Sequence, residues 1–277
     1  MLNKGIILIA TEHANYGNMA YNLACSILSV EQVGIAVVYS GAGLSHLTPE
    51  QRAIFSYEIK LPADFRTGFG VKLHLDELTP FENTLYLDAD MLWLGRTPSE
   101  LFTELSGCGF SIITEGHSDA ANPKYYFWAD AKEIKEKYNV NKVWQTRSEV
   151  LYFEKGTKVF EEARKLKPES KLTTMRKFGE WIPDELYFNI AMAVLGIDPH
   201  KPNWMPAYWA RLHGEVMPNL SVLYREFYLL SFGSNAASAI MKRAYDNVMR
   251  VVSNKMGKPY IFTLKSKKEW APGRLKI

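Results

Sequence analysis

Four apolar runs rich in β-branched residues, separated by segments of helical period, constrain this chain more than any other feature. They are Gly5 to Ala10, Val33 to Tyr39, Thr84 to Leu87 and Phe110 to Ile113. Such alternation predicts an α/β sheet covered by helices. Between the first two runs Met19, Leu23 and Ile27 recur at every fourth residue, with Ala20, Ala24 and Leu28 beside them, which is the buried face of a helix. Gly41-Ala42-Gly43 closes the second run, and Thr48-Pro49-Glu50-Gln51 reads as a helix start, with Thr48 as cap and Pro49 in the first turn. The polar, aromatic-rich stretch from Glu115 to Arg147 reads as a long excursion holding a helix over Asp130 to Lys137, of the kind that covers binding sites. An amphipathic helix is predicted from Lys155 to Lys167, ended by Pro168. A strongly apolar one is predicted from Asp184 to Leu195, stopped by Gly196.

With 277 residues, 47% of them hydrophobic and 23% charged, the chain can close a full core, which excludes disordered and fibrous classes. The expectation is one domain over residues 1–254 and a basic, aromatic tail over 255–277. Seven Lys/Arg and one acid give that tail a charge of +6 against +3 for the whole chain, leaving −3 on the rest. A cationic tail carrying Tyr260, Phe262, Leu264 and Trp270 could touch an anionic membrane surface; the plainer alternative is a solvated tail packed by its aromatics. Nucleic-acid binding needs a broader basic face, and none is expected. Cys25 and Cys108 stand alone, without CxxC spacing, so neither a disulfide scaffold nor a thiolate zinc site is expected. The longest apolar run, Ile190 to Leu195, is far short of the roughly 20 residues of a membrane span. The expected location is the cytoplasm, with contact at the inner face of a membrane through the tail.

The most informative segment chemically is Thr84 to Gly95, where Asp88 and Asp90 stand two residues apart among apolar neighbours. Burying two unpaired carboxylates is costly. In extended chain, residues i and i+2 project to one side, so both acids can point together out of the end of a core strand. Like charges this close repel unless a cation neutralises them, and carboxylate oxygens select Mg²⁺ or Mn²⁺ over soft metals. The plain alternative is an acidic strand-end turn with Asp88 capping the next segment. The loop beyond the carboxyl end of a central strand is also where open α/β sheets bind ligands.

Three segments together resemble the GT-A-fold glycosyltransferases, in particular the retaining nucleotide-sugar family that includes glycogenin and the bacterial lipopolysaccharide galactosyltransferases. The first runs from Ile7 through Ala10, Thr11 and Tyr16 to the Ser26-Ile27 pair. The second joins Val71-Lys72-Leu73-His74-Leu75 and Leu78 to Asp88-Ala89-Asp90. The third is Trp181 to Asn189, with Asp184 and Glu185. The resemblance implies a GT-A-type fold with a mixed, mainly parallel, Rossmann-like sheet flanked by helices. It implies a nucleotide-sugar donor, most simply a UDP-sugar, contacted by Ala10, Thr11, Tyr16, Lys72, Asp88 and Ala89, and Mn²⁺ or Mg²⁺ on Asp88 and Asp90. Lys72 would meet the diphosphate or donor sugar as part of a lysine-bearing helix, and Asp184 and Glu185 would orient the sugar. Outside the resemblance, Tyr16 is an exposed loop tyrosine, Lys72 a solvated helix lysine and Asp184 a helix cap. Two departures stand out. No histidine follows His213, so the late ligand of a His-x-x-Gly pattern is replaced by Tyr228 to Ser234, leaving His213, Ser231 or water to complete a metal site; and an Asn-x-Gly segment is replaced by Arg147-Ser148-Glu149.

The implied reaction moves a sugar onto a glycan, lipid-linked or protein acceptor with retained configuration. Negative charge gathers on the departing diphosphate, where a divalent ion and a lysine stabilise it. No covalent nucleophile is assigned. The alternatives are a non-catalytic carbohydrate- or nucleotide-binding protein of the same fold, and a sugar-1-phosphate nucleotidylyltransferase, against which the lack of a glycine before Gly17 in the first loop counts. Hydrolase motifs are absent from the sequence. Trp204 and Trp209 read as core, and Asn219-Leu220-Ser221 as an accidental sequon.

Overall fold

A computed structural model describes residues 3–65, 68–119, 128–166, 172–175, 183–200, 204–209, 219–232 and 239–261. The chain divides into two compact units, one gathering Leu2–Leu61, Leu87–Glu104 and Pro206–Ile277, the other Pro62–Tyr86 and Leu105–Met205.

The first unit opens with β1 (Lys4–Ala10), α1 (Ala14–Leu28), β2 (Gly34–Tyr39), α2 (Pro49–Arg52) and β3 (Tyr57–Lys60). The strands lie in the order β3-β2-β1 and all pair parallel, from Gly5↔Gly34 to Ala10↔Tyr39 and from Ala36↔Tyr57 to Tyr39↔Lys60. Ile6, Ile7, Leu8 and Ile35 to Val38 are fully buried, as strands covered on both faces require. Thr48 and Gln51 close a reciprocal capping box at the start of α2, with Pro49 in its first turn. In α1, burial is continuous from Gly17 through Ile27 and so exceeds the single face that the periodicity predicts. Its buried amide, Asn22, is satisfied: Nδ2 donates to the Tyr245 hydroxyl at 2.7 Å, and Oδ1 accepts from the Ile261 N–H at 3.0 Å. Tyr245 belongs to α9 (Ala239–Met256), which buries Met241, Tyr245, Val248, Met249 and Val252 at helical spacing.

A three-stranded sheet in the same unit has the order β5 (Met91–Trp93), β9 (Leu229–Ser231), β8 (Ala207–Trp209). Strands of three residues are too short for periodicity to reveal. The helices α4 (Pro98–Leu105) and α8 (Leu220–Glu226) are also modest. Asn219 caps α8, its Oδ1 accepting from the Ser221 N–H, and Trp204 and Trp209 are both buried.

The second unit contains a 3₁₀ segment over Gly68–His74, α3 (Leu75–Leu78), β4 (Asn83–Leu87), β6 (Phe110–Ser118), α5 (Ala131–Tyr138), β7 (Val143–Glu154), α6 (Val159–Lys165) and α7 (Asp184–Leu195). Its strands order as β4-β7-β6, with β6 and β7 antiparallel. Three expectations change here. The lysine-bearing helix is a tight 3₁₀ segment followed by one short α-turn. Much of the expected polar excursion is strand, because its polar residues Thr114, Ser118, Gln145 and Thr146 are buried within the sheet. Helix α6 starts only at Val159, since Gly156, at φ +89°, turns the chain out of β7 in a conformation few other residues adopt. Asp130 caps α5, and Gly196, at φ +66°, ends α7 where expected. The unit's core includes an aromatic cluster of Phe110, Phe153, Phe160 and Phe188 with neighbouring centroids 4.7 to 5.8 Å apart.

Among the described residues no helix is long and apolar enough to cross a membrane, and both cysteines are free. Helix α9 carries the chain through Met256, past the expected start of the tail; Phe262, Leu264, Trp270 and the later lysines lie outside the described residues.

Candidate active site

In the first unit, the chain turns through Asp88-Ala89-Asp90 between the end of β4 and the start of β5. Ala89 is buried and both aspartates are half-exposed. The turn is tied down on its downstream side. The Asp90 carbonyl accepts from the Phe232 N–H at 3.2 Å, the Leu94 N–H donates to the Tyr228 carbonyl at 2.8 Å, and Ser26 Oγ of α1 accepts from the Trp93 N–H at 2.8 Å. Ser26, the end of the first resembling segment, therefore braces the strand that follows the acid pair.

Two hard oxygen donors on a half-exposed turn fit a hard divalent ion that draws its remaining ligands from phosphate and water. Among the described residues, no group of three or more His, Cys, Asp and Glu converges to hold such an ion. Ser231 is fully buried in β9 opposite Met91, and its hydroxyl has no hydrogen-bond partner among the described residues. His213, Gly233 and Ser234 lie outside them.

The loop after β1 belongs to the same unit. Ala10 and Thr11 are buried, and Tyr16 is half-buried with its ring 6.4 Å from that of His13. Glu12 between them holds φ +68°, and its carboxylate accepts from Ser40 Oγ at 3.2 Å. A side chain at Gly43 would put its Cβ 1.7 Å from the Ala10 carbonyl oxygen, so the loop after β2 rests its bare backbone on the end of β1.

In the second unit, the structure brings Lys72, Asp184 and Glu185 together. Lys72 and Asp184 are almost wholly buried, with side chains 10% and 3% exposed, and Lys72 Nζ lies 3.7 Å from Asp184 Oδ2. The ammonium also donates to the carbonyl oxygen and to the hydroxyl of Ser148, each at 3.1 Å, and sits 5.2 Å from the centre of the Tyr86 ring. Asp184 is the first residue of α7, Pro183 being its cap, so both acids stand in the turn where the helix dipole favours negative charge. Glu185 Oε2 accepts from the Trp128 indole N–H at 2.5 Å, and its backbone carbonyl accepts from Thr146 Oγ1 at 3.4 Å. Desolvation pushes the Glu185 carboxyl up to about 7; the negative charges of Asp184 and Glu149 add to this, while Lys72 and the Trp128 hydrogen bond oppose it.

Lys72 is thus a buried lysine and not a solvated helix lysine. Its segment is clamped from α6 by Arg164, which donates to the Leu73 carbonyl at 2.6 Å and grips both oxygens of Asp76 at 2.6 and 3.0 Å. Ser148, Trp128, Thr146 and Tyr86 are members of the cluster that sequence reasoning does not single out. A single cue pointed at Ser148: it lies in Arg147-Ser148-Glu149, where the expected Asn-x-Gly is replaced. There β6 and β7 slip register, with Ile112 opposite Leu151 but the next residue, Ile113, opposite Arg147, so residues 148–150 bulge from the ladder. Arg147 itself pairs with Glu115, its Nε 2.6 Å from Oε1, and Gln145 Nε2 donates to the other Glu115 oxygen at 2.8 Å.

No protein-family model and no curated protein sequence matches the chain. Solved structures do. A galactosyltransferase, LgtC, determined in complex with donor and acceptor sugar analogues, is similar over 96% of this chain and 98% of its own, with a TM-score of 0.55 at 12% identity. The bifunctional glycosyltransferase WbbM matches 92% of this chain with 51% of its own, again at 0.55 and 12%. The glycosyltransferase GlyE of Streptococcus pneumoniae matches 95% of this chain and 66% of its own, at 0.50 and 10%. The likeness is one of fold: the chain has the mixed α/β, GT-A-type architecture of glycosyltransferases.

Proposed function

We propose that this protein is a glycosyltransferase that moves a sugar from a nucleotide donor, a UDP-sugar, to a glycan, lipid-linked or protein acceptor with retention of anomeric configuration. The observation that carries the reading is the half-exposed Asp88-Ala89-Asp90 turn in a chain of GT-A fold. In this reading Asp88 and Asp90 hold Mn²⁺ or Mg²⁺, and the ion, when bound, supplies positive charge to the departing diphosphate. Ala10, Thr11 and Tyr16 contact the nucleoside, Tyr16 by stacking on the base. Asp184 and Glu185 accept hydrogen bonds from donor-sugar hydroxyls, and Lys72 holds their charge in balance from within the cluster. A buried lysine with two acids is expensive to fold around, which favours a role in binding over one in stability.

The test is a thermal-shift panel of UDP- and GDP-sugars with and without Mn²⁺, run on the wild type, Asp88→Ala and Asp90→Ala. The expected outcome is metal-dependent stabilisation by a UDP-sugar, worth about 2.7 kcal/mol at a hundred-fold excess over Kd, that either substitution removes. Equal shifts in all three proteins reject the metal assignment. No shift with any nucleotide points to a binding protein without turnover.

A further inference from the structure

Within the ladder, a strand carbonyl is normally spent on its neighbouring strand. At residues 148–150 the register slip takes β7 out of pairing with β6, and the Ser148 carbonyl and hydroxyl both accept from Lys72 instead. A lysine ammonium sits on a flexible four-carbon stem, and two acceptors on one buried residue help to define its position. We propose that Ser148 is a positioning residue, fixing the Lys72 ammonium between Tyr86 and the Asp184–Glu185 pair at the start of α7. The inference deepens the transferase reading and rests on it for its effect on turnover, whereas the charge arrangement stands by itself.

The groups that bear on Glu185 come from four directions. Asp184 precedes it on α7, Lys72 approaches on the 3₁₀ segment, Glu149 follows Ser148 in the bulge, and the Trp128 indole donates from ahead of α5. Among the described residues that bear on it, Lys72 supplies positive charge and Asp184 and Glu149 negative. The proton affinity of Glu185 therefore depends on where the Lys72 charge is held, and Trp128, bonded to the same carboxyl, is a built-in reporter of its ionisation.

The experiment is a pH titration of tryptophan fluorescence on the full chain, taking the difference from a Trp128→Phe background, for the wild type, Ser148→Ala and Ser148→Thr. A cooperative melt confirms that each protein is folded. In Ser148→Ala the midpoint moves up by roughly half to one pH unit, a part of the one to three units that an adjacent opposite charge commands, and Ser148→Thr, which keeps the hydroxyl, returns it. With a UDP-sugar, kcat falls roughly ten-fold in Ser148→Ala with KM little changed, as misplacement of a catalytic-site group predicts, and Ser148→Thr restores it. A wild-type signal flat between about pH 5 and 9, or a Ser148→Ala curve that superimposes on the wild type, overturns the proposal. The titration contains no sugar nucleotide, so its outcome is separate from that of the transferase reading.

Discussion

Helix α7 has a lysine–aspartate pair at each end, and the two behave as opposites. At its start, Lys72 and Asp184 face each other across 3.7 Å with almost no exposure. Beyond its end, Lys142 approaches Asp198 to 3.1 Å, with side chains 39% and 66% exposed. The second pair also has company: Trp144 Nε1 donates to the same Asp198 oxygen at 3.1 Å, and Lys142 lies 5.0 Å from the Trp144 ring centre, beside a cavity of about 460 Å³ walled by Met192, Leu195 and Ile197. By distance alone the outer pair is the stronger. Burial reverses the order, because water screens the outer charges, whereas around the inner ones Ser148 and Tyr86 are among the groups that take the place of water. The outer pair fastens a helix end at little energetic consequence; the inner one is a commitment that the protein cannot abandon one member at a time.

Lys72→Met puts the largest strain on that contrast. It removes the cation that faces buried Asp184 at 3.7 Å and is expected to cost about 3 to 5 kcal/mol, read as a drop in the urea midpoint at pH 7, together with loss of donor binding. A cost below that of an ordinary surface substitution would mean the inner pair is solvated after all.

Glu185→Gln sharpens the same contrast through pH. Because the folded carboxyl titrates near 7, well above its unfolded value, the native state binds the extra proton between those two values. Wild-type stability should therefore fall as pH rises through that window, the penalty being complete above about 7. The glutamine cannot ionise, so it should melt with the wild type at about pH 4, below both values, and exceed it by about 1 to 2 kcal/mol at pH 8, after allowance for the partial exposure of Glu185. Parallel stability profiles for the two proteins would remove Glu185 from the buried charge balance.

The smallest effect is expected at the outer pair. Lys142→Ala should shift stability by no more than about 0.5 kcal/mol, and a double-mutant cycle with Asp198→Ala should show a coupling that disappears in 1 M salt. A coupling that survives salt would place the two pairs in one class.

Much of the framework was legible because its signals are local. Parallel strands β1 and β2 are unbroken apolar runs, α1 repeats its core residues at every fourth position, Thr48 caps α2, and α7 begins at Asp184 and stops at a left-handed Gly196. The candidate site was legible in part for the same reason: Asp88-Ala89-Asp90 and Asp184-Glu185 are short motifs at element boundaries. Long-range placement was not. The three-residue strands β5, β8 and β9 carry too little pattern to be seen, and the polar residues of β6 and β7 read as loop although their surroundings bury them. Ser148 looked like a departure from a motif; only the register slip makes it a ligand of Lys72.

The amino-acid sequence by itself determined the class of fold, the acid pair that follows a core strand and the helix that starts on two further acids, since periodicity, capping and charge spacing act within a few residues. Tertiary structure decided which partner each charge received. It took Lys72 out of water and set it between Ser148, Asp184 and Tyr86, left Lys142 at the surface, and raised the proton affinity of Glu185. The physical reason is that desolvation and Coulomb energy depend on what surrounds a group in space, and that neighbourhood is assembled from segments distant along the chain.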